Sequence, residues 1–226
     1  MRTAFDVQPL DGSALALDTL ELAPGITAEL GSPEHDSLVY VGRGAALFSV
    51  GSESAAVRGG SAGLVPAGEE GSLAASEDLE AIVVTVGSEV DLHAPMGGRE
   101  RVVALDAAGA QQATGGRSFE ILFGPHNGSN RATLFAGFVP PGKAPWHYHL
   151  YDEIVWIPAG PGRLHLAEGE EALGAGSAFR LRPREVHIVE NAGTSEMTII
   201  GVFTPAGSPS AAFLTADVAA EYRIGA

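Results

Sequence analysis

Three side chains that can bind a metal ion lie in one short stretch, PWHYHLYDEIVWIPAG at residues 145–160. His147 and His149 are two residues apart, so in a β-strand their imidazoles point to the same face. Glu153 follows His147 by six residues, and the intervening LYD can turn so that the carboxylate joins the two rings. The stretch therefore predicts a metal site with nitrogen and oxygen ligands.

A fourth ligand must come from elsewhere in the chain, and His187 stands out among the remaining histidines. The sequence GSAFRLRPREVH predicts a strand and a turn that end at His187, and HIVEN predicts the next strand. Three imidazoles and one carboxylate suit a single divalent Mn, Fe, Co, Ni, Cu or Zn ion and leave room for water or substrate. Cysteine is absent, which excludes thiolate ligands and disulfides.

The composition predicts a protein of many short strands. Of the 226 residues 45% are hydrophobic, and 30 glycines and 14 prolines are scattered between short apolar runs. The net charge of −15 disfavours binding to nucleic acid or to an anionic membrane. No apolar run is long enough for a signal peptide or a membrane span, so the expected compartment is the cytoplasm.

The chain contains two copies of one plan. LVYVGRG at 38–44 matches IVWIPAG at 154–160, a shift of 116 residues. AIVVTV at 81–86 matches TIIGVF at 198–203 with one further residue of slip. These matches predict an internal duplication, with a period longer than that of solenoid repeats.

Each copy is predicted to consist of short strands with Gly or Pro turns. The predicted strands are LVYVG, ALFSV and AIVVTV in the first copy and TLFAGFV, EIVWI, GRLHL and TIIGVF in the second. The Ala-rich segment SPSAAFLTADVAAEYRI at 208–224 predicts a short C-terminal helix. We expect an N-terminal unit at 1–97, a polar connecting segment at 98–118 and a C-terminal unit at 119–226.

The ligand stretch resembles the first motif of the cupin superfamily, which is Gly, five residues, His-x-His, three or four residues, Glu, six residues, Gly. His147, His149, Glu153 and Gly160 keep this spacing, and Gly142 lies one position nearer to His147.

A second cupin motif, which is Gly, five residues, Pro-x-Gly, two residues, His, three residues, Asn, matches less closely. Gly176, His187 and Asn191 keep their spacing, while Pro183 is one position late and Arg184 stands where Gly is expected.

The resemblance covers nearly the whole chain and implies a bicupin, an all-β protein of two tandem double-stranded β-helix barrels. It implies that the metal is bound inside the second barrel by His147, His149, Glu153 and His187. The first copy keeps the Gly, Pro and Gly of the second motif in GSAGLVPAGEEG, but we expect its barrel to bind no metal. The shift of 116 places non-ligand residues at the four ligand positions: Gly31, Pro33, Ser37 and Gly71.

Other side chains near the site leave two interpretations open. Four aromatic residues could stack on an aromatic substrate or could simply pack in the core: Trp146, Tyr148, Tyr151 and Trp156. Four arginines could bind a carboxylate-bearing substrate: Arg163, Arg180, Arg182 and Arg184. The alternative, which we favour, is that Arg180, Arg182 and Arg184, spaced by two, form one exposed strand face that offsets acidic neighbours or a partner subunit. His126 is expected to be solvated in its loop, and His165 lies on a strand of unassigned direction.

The resemblance implies a metal-dependent enzyme that acts on a small organic substrate in the C-terminal barrel. A quercetinase-like dioxygenase comes first, with a non-redox isomerase, cyclase or decarboxylase as a near equal. In such a reaction Glu153 could be a catalytic base as well as a ligand. A small-molecule-binding or scaffold cupin without catalysis is the alternative from another class. Cupins often pair through exposed strands, so we expect a homodimer.

Overall fold

The computed structural model describes residues 14–113 and 116–215, and this part of the chain is almost entirely β-structure. One turn of 3-10 helix, Ala107–Gly109, interrupts the strands. The prediction of an all-β fold is confirmed. Among the described residues, no helix is long and apolar enough to cross a membrane.

Nine strands form two antiparallel sheets in the first half of the chain. They are β1 Leu15–Leu22, β2 Thr27–Leu30, β3 Asp36–Arg43, β4 Ala45–Val50, β5 Glu53–Arg58, β6 Ser61–Val65, β7 Gly71–Ala75, β8 Leu79–Val86 and β9 Val102–Ala104. One sheet has the order β1-β8-β3-β6-β9, and the other has the order β2-β7-β4-β5. Both sheets contribute to one apolar core, which fills the first barrel.

Eleven strands form two further sheets in the second half. They are β10 Gln111–Gln112, β11 Ser118–Phe123, β12 Thr133–Val139, β13 His147–His149, β14 Asp152–Trp156, β15 Gly162–Leu166, β16 Gly169–Leu173, β17 Ala178–Leu181, β18 His187–Asn191, β19 Met197–Thr204 and β20 Ala212–Leu214. The six-stranded sheet has the order β10-β11-β12-β19-β14-β17, and the five-stranded sheet has the order β16-β15-β18-β13-β20.

Strand β3 shows how the two halves are joined. Because side chains alternate along a strand, Val39 and Val41 point into the first barrel, whereas Leu38 and Tyr40 point away from it. This outer face packs against the six-stranded sheet of the second half, where the ring of Trp156 lies edge-on, 6.3 Å from that of Tyr40. The two halves therefore share an apolar core in addition to the cores inside the barrels.

The strand registers show the duplication and correct one detail of it. Tyr40 on β3 stands opposite Ile82 on β8, and Trp156 on β14 stands opposite Ile200 on β19. Because Tyr40 and Trp156 are 116 residues apart while Ile82 and Ile200 are 118 apart, the predicted slip of one residue is wrong, and the slip is two. The two extra residues lie in the loop between β18 and β19.

The connecting segment predicted at 98–118 contributes to both halves. Strand β9 pairs with β6 in the first half, and β10 pairs with β11 in the second. The limits 1–97 and 119–226 stay a prediction, since the sheets of each half extend into the segment between them.

The predicted C-terminal helix is wrong over Ala212–Leu214, which forms β20 along the edge of β13. The ring of Phe213 stacks on that of Tyr148 with their centroids 5.5 Å apart, so tertiary packing overrides the helical preference of this Ala-rich segment. The remainder of the predicted helix, from residue 216, lies outside the described residues.

Candidate metal centre

The structure brings together three of the four predicted ligands. His147 on β13 is directly opposite His187 on β18, and their ring centroids are 4.4 Å apart. The ring of His149 lies 4.7 Å from that of His187 and 6.0 Å from that of His147. One ligand nitrogen of each ring lies within 4.8 Å of those of the other two, close enough for a single metal ion.

Backbone carbonyls orient two of these imidazoles. Nδ1 of His147 lies 2.9 Å from the carbonyl oxygen of Pro145, and Nδ1 of His187 lies 2.8 Å from that of Glu185. In each ring the Nδ1–H donates to the carbonyl, so Nε2 carries the free lone pair that a metal requires. This arrangement fits a first-row transition metal ion, for which neutral imidazole is a preferred ligand.

All three imidazoles remain neutral well below neutral pH in the metal-free protein. Burial lowers the pKa of His147 to about 4, that of His149 to about 3 and that of His187 to about 2. The positive charge of Arg117 adds to the effect of burial on His147, and the other histidines add to it on His149 and His187. Protons therefore do not compete with a metal for these nitrogens at neutral pH.

Glu153 lies beside the three histidines rather than among them. It is 3% exposed, and its Oε2 lies 3.1 Å from Nε2 of His149. Two ligands of one ion at right angles, each about 2.1 Å from it, would be about 3 Å apart. The contact between Glu153 and His149 therefore suits a shared ion. The group whose ligand atoms all lie within 4.8 Å of one another, however, contains only the three histidines. The role of Glu153 as the fourth ligand stays a prediction.

Burial also changes the acidity of Glu153. It raises the pKa of the carboxyl group to about 8, while the charge of Arg117 lowers the pKa and that of Asp152 raises it. In the metal-free protein at pH 7, Glu153 is therefore mostly protonated.

The histidines and Glu153 line a cavity of about 90 Å³ inside the second barrel. Most of its wall is apolar, and Phe119 and Phe135 belong to an aromatic cluster along it. Tyr151 completes this cluster, because its ring stacks on His149 at 4.2 Å and on Phe203 at 4.0 Å between centroids. Residues after β19 contribute the remaining side of the wall, including Pro209 and Leu214.

The turn before His187 has a left-handed residue at the position where the cupin motif has Gly. Arg184, where the motif has Gly, adopts the left-handed conformation that Gly normally provides, with φ of +67°. Its backbone N–H donates to the carbonyl oxygen of His149 over 2.6 Å. The turn thus ties the segment before His187 to the strand that carries two of the ligands.

Sequence reasoning missed one side chain at the site, that of Arg117. It lies within the predicted connecting segment, immediately before β11, and borders the cavity with the histidines and Glu153. A lone arginine before an apolar strand in an acidic chain is the one signal that pointed to it, and that signal is weak.

Most of the other candidates lie away from the cavity. Tyr148 is on the outer face of β13, Trp146 lies against His165, and Trp156 is in the core shared by the halves. Tyr151 is the aromatic candidate that borders the cavity.

The predicted arginines do not enter the cavity either. Arg180 is not on an exposed face as predicted, because its guanidinium forms two hydrogen bonds of 2.7 and 2.6 Å with Asp152. Arg163 pairs with Glu170, and Arg182 and Arg184 are exposed.

Both remaining histidines of the second half also lie outside the site. His126 is exposed in its loop, and His165 is buried with Nε2 at 2.6 Å from Glu190. Neither belongs to the cavity wall.

At the positions of the first barrel that correspond to the four predicted ligands, the chain carries neither histidine nor a carboxylate. In the second barrel His147 stands opposite His187, and in the first barrel Leu30 stands opposite Gly71. The residue that corresponds to His147 is therefore Leu30. The shift of 116 had placed it one residue later, at Gly31. The barrel interior is filled by apolar side chains, among them Phe48 and Leu73. Within the described ranges, the histidine group of the second barrel is the one cluster with metal-ligand spacing.

The family model for the cupin domain matches residues 135–203, from β12 to β19, which include all four predicted ligands. The fold is that of the cupin superfamily, and the histidine site lies in the barrel that carries the family's sequence pattern. A comparison with curated protein sequences gave no match.

Solved structures share this fold over most of the chain. A mutant of Bacillus subtilis oxalate decarboxylase OxdC has a TM-score of 0.72 and 16% identity, with 95% of this chain and 77% of that chain covered. AerE from Microcystis aeruginosa has a TM-score of 0.70 and 14% identity, with 85% and 88% covered. An IolB-like protein from Salmonella typhimurium has a TM-score of 0.68 and 14% identity, with 90% and 88% covered.

Proposed function

We propose that this protein is a metal-dependent enzyme that acts on a small organic substrate inside the second barrel. The observation that carries the proposal is the convergence of three neutral imidazoles in a cavity that also contains a buried carboxyl group. His147, His149 and His187 would hold the ion, with Glu153 as the predicted fourth ligand. When bound, a divalent ion supplies Lewis acidity that polarises a substrate carbonyl or enolate oxygen.

Glu153 would move a proton in this cavity. Its carboxylate borders the space that a substrate would occupy and contacts His149, so it can accept a proton from a carbon or oxygen of a substrate held there. The aromatic side chains of Phe119, Phe135 and Tyr151 beside it would limit the number of water molecules around that proton.

The size of the cavity favours a substrate of few atoms. Its volume of about 90 Å³ is well below the roughly 300–1,000 Å³ of pockets that hold drug-sized ligands. A non-redox isomerase, cyclase or decarboxylase acting on a small molecule is therefore our first candidate.

A quercetinase-like dioxygenase is the second candidate. Phe119 and Phe135 in the cavity wall favour it, because their rings can contact an aromatic substrate. Accommodating a flavonol would require the cavity to widen.

The proposal is tested by removing the metal with a chelator, restoring it, and following turnover of a panel of small keto acids, enols and flavonols together with oxygen uptake. We expect turnover that is lost on chelation and in E153Q, and unchanged in H126A, since His126 is exposed outside the cavity. Oxygen uptake with a flavonol and a redox-active metal would select the dioxygenase. Tight binding without turnover would replace the enzyme by a binding cupin.

A further inference from the structure

Arg117 is held in a fixed backbone position at the edge of the six-stranded sheet. It follows Gly116, which has a φ of +73°, and its carbonyl oxygen accepts a hydrogen bond of 2.8 Å from the N–H of Ala113. Strand β11 begins at the next residue and pairs with β12 across the cavity wall. The side chain of Arg117 therefore starts just before β11 and lines the same cavity as the histidines.

The guanidinium of Arg117 is charged and partly buried beside the cavity. Burial lowers its pKa to about 10 while Glu153 acts to raise it, so the group remains a cation at neutral pH. Its positive charge contributes to lowering the pKa of Glu153 and of all three histidines.

Within the described residues, this guanidinium has neither a hydrogen bond nor an ion pair. Two other arginines of the second half are paired, Arg180 with Asp152 and Arg163 with Glu170. A partly buried guanidinium without a partner keeps its planar set of donors available, and a carboxylate is the group that best satisfies them.

We propose that Arg117 selects a small carboxylate-bearing substrate, with the carboxylate against the guanidinium and a second oxygen function toward the histidines. The charges of the site agree with this choice. A divalent ion and the Arg117 cation together carry about three positive charges, and ionised Glu153 cancels one of them. The three imidazoles are neutral, so the site has an excess of about two positive charges before a substrate enters. A mono- or dicarboxylate of few carbons fits both this charge and the cavity volume of about 90 Å³. This inference rests on the proposed function, because it names the substrate class of the same cavity.

The test is calorimetric titration of the metal-loaded protein with malonate and with its uncharged analogue malonamide. It compares the wild type with R117Q, R117K and R163Q, and metal content is measured in every sample. R163Q is the matched control because Arg163 is exposed, paired with Glu170 and outside the cavity.

We expect the wild type and R163Q to bind malonate in preference to malonamide. R117Q should weaken malonate binding by at least about tenfold with unchanged metal content, as expected for the loss of a charge-assisted hydrogen bond. R117K should fall between the wild type and R117Q, because an ammonium keeps the charge without the planar pair of donors. If R117Q does not fold, the comparison of malonate binding between the wild type and R117K tests the inference instead.

Equal malonate binding by the wild type and R117Q, or no preference over malonamide in the wild type, would overturn the inference. The proposed function fails separately, if the wild type holds no metal. In that case titration of the metal-free wild type and R117Q with malonate still tests whether Arg117 binds a carboxylate, since the charge of its guanidinium does not depend on the ion.

Discussion

Gly68 and Arg184 stand at the same position in the two halves of the chain, 116 residues apart, and both have a left-handed backbone, with φ of +82° and +67°. The N–H of Gly68 donates to the carbonyl oxygen of Ser32 over 2.8 Å, and that of Arg184 donates to His149 over 2.6 Å. The duplication has thus preserved the turn and its hydrogen bond, although the second half has replaced glycine by a residue that this conformation disfavours.

R184G is expected to stabilise the protein by about 1 kcal/mol, because a side chain in the left-handed region costs roughly 1–2 kcal/mol and the added freedom of Gly in the unfolded chain offsets part of the gain. Metal content should not change, since the bond to His149 comes from the backbone. Urea denaturation measures the difference. The matched change G68A should destabilise the first half through its backbone alone, because an added Cβ meets no atom within 4 Å. Destabilisation by R184G would mean that the arginine side chain itself stabilises the turn.

E153Q is expected to stabilise the metal-free protein at pH 8 by on the order of 4 kcal/mol. The pKa of Glu153 is raised from 4.5 to about 8, so the folded protein binds this proton more tightly than the unfolded chain does. Stability due to this group is therefore present below about pH 4.5 and is lost as the pH rises to about 8. Unfolding of both proteins between pH 4.5 and pH 8 should show a difference that grows with pH. A difference independent of pH would show that Glu153 is already ionised in the metal-free protein.

Metal binding at pH 7 is expected to release nearly one proton per ion if Glu153 is a ligand. The carboxyl group, with a pKa of about 8, must ionise on binding, whereas the three imidazoles, with pKa values of about 4, 3 and 2, are already neutral. Calorimetry in buffers of different ionisation enthalpy counts the protons. E153Q should release none from this position. Equal release by the wild type and E153Q would remove Glu153 from the ligand set.

W156A is expected to lower the free energy of unfolding by about 3–5 kcal/mol, since Trp156 is 2% exposed in the core shared by the two halves. W146A should cost less, because Trp146 is only half-buried. Because the two halves share this core, the wild type should unfold in one transition when followed by far-UV circular dichroism and by tryptophan fluorescence. Two separate transitions would show that the halves unfold independently.

The parts of the site that could be predicted from the sequence depend on local geometry. His147 and His149 share a face because the strand period is two, and this holds whatever the strand pairs with. His187 was placed by its spacing from Gly176 in the second motif, and the structure brings it opposite His147. The alignment of the two copies also predicted that the first barrel lacks these ligands.

The parts that were missed depend on contacts between distant segments. Arg117 reaches the cavity only because β11 pairs with β12, and no spacing within its own segment shows this. The segment Ala212–Leu214 forms a strand because the edge of β13 is available to it, which an Ala-rich composition does not reveal. Arg180 was expected on an exposed face, whereas its partner Asp152 lies on the neighbouring strand β14.

The most direct test of the account is elemental analysis of the purified wild type, H187A and H126A after loading with divalent transition metals and removal of unbound ions. We predict one ion per chain in the wild type and in H126A, and its loss in H187A, because His187 lies within 4.8 Å of both other histidine ligands while His126 lies outside the cavity. A wild type that holds no ion, or an H187A variant that retains it, would contradict the metal centre on which the proposed function rests.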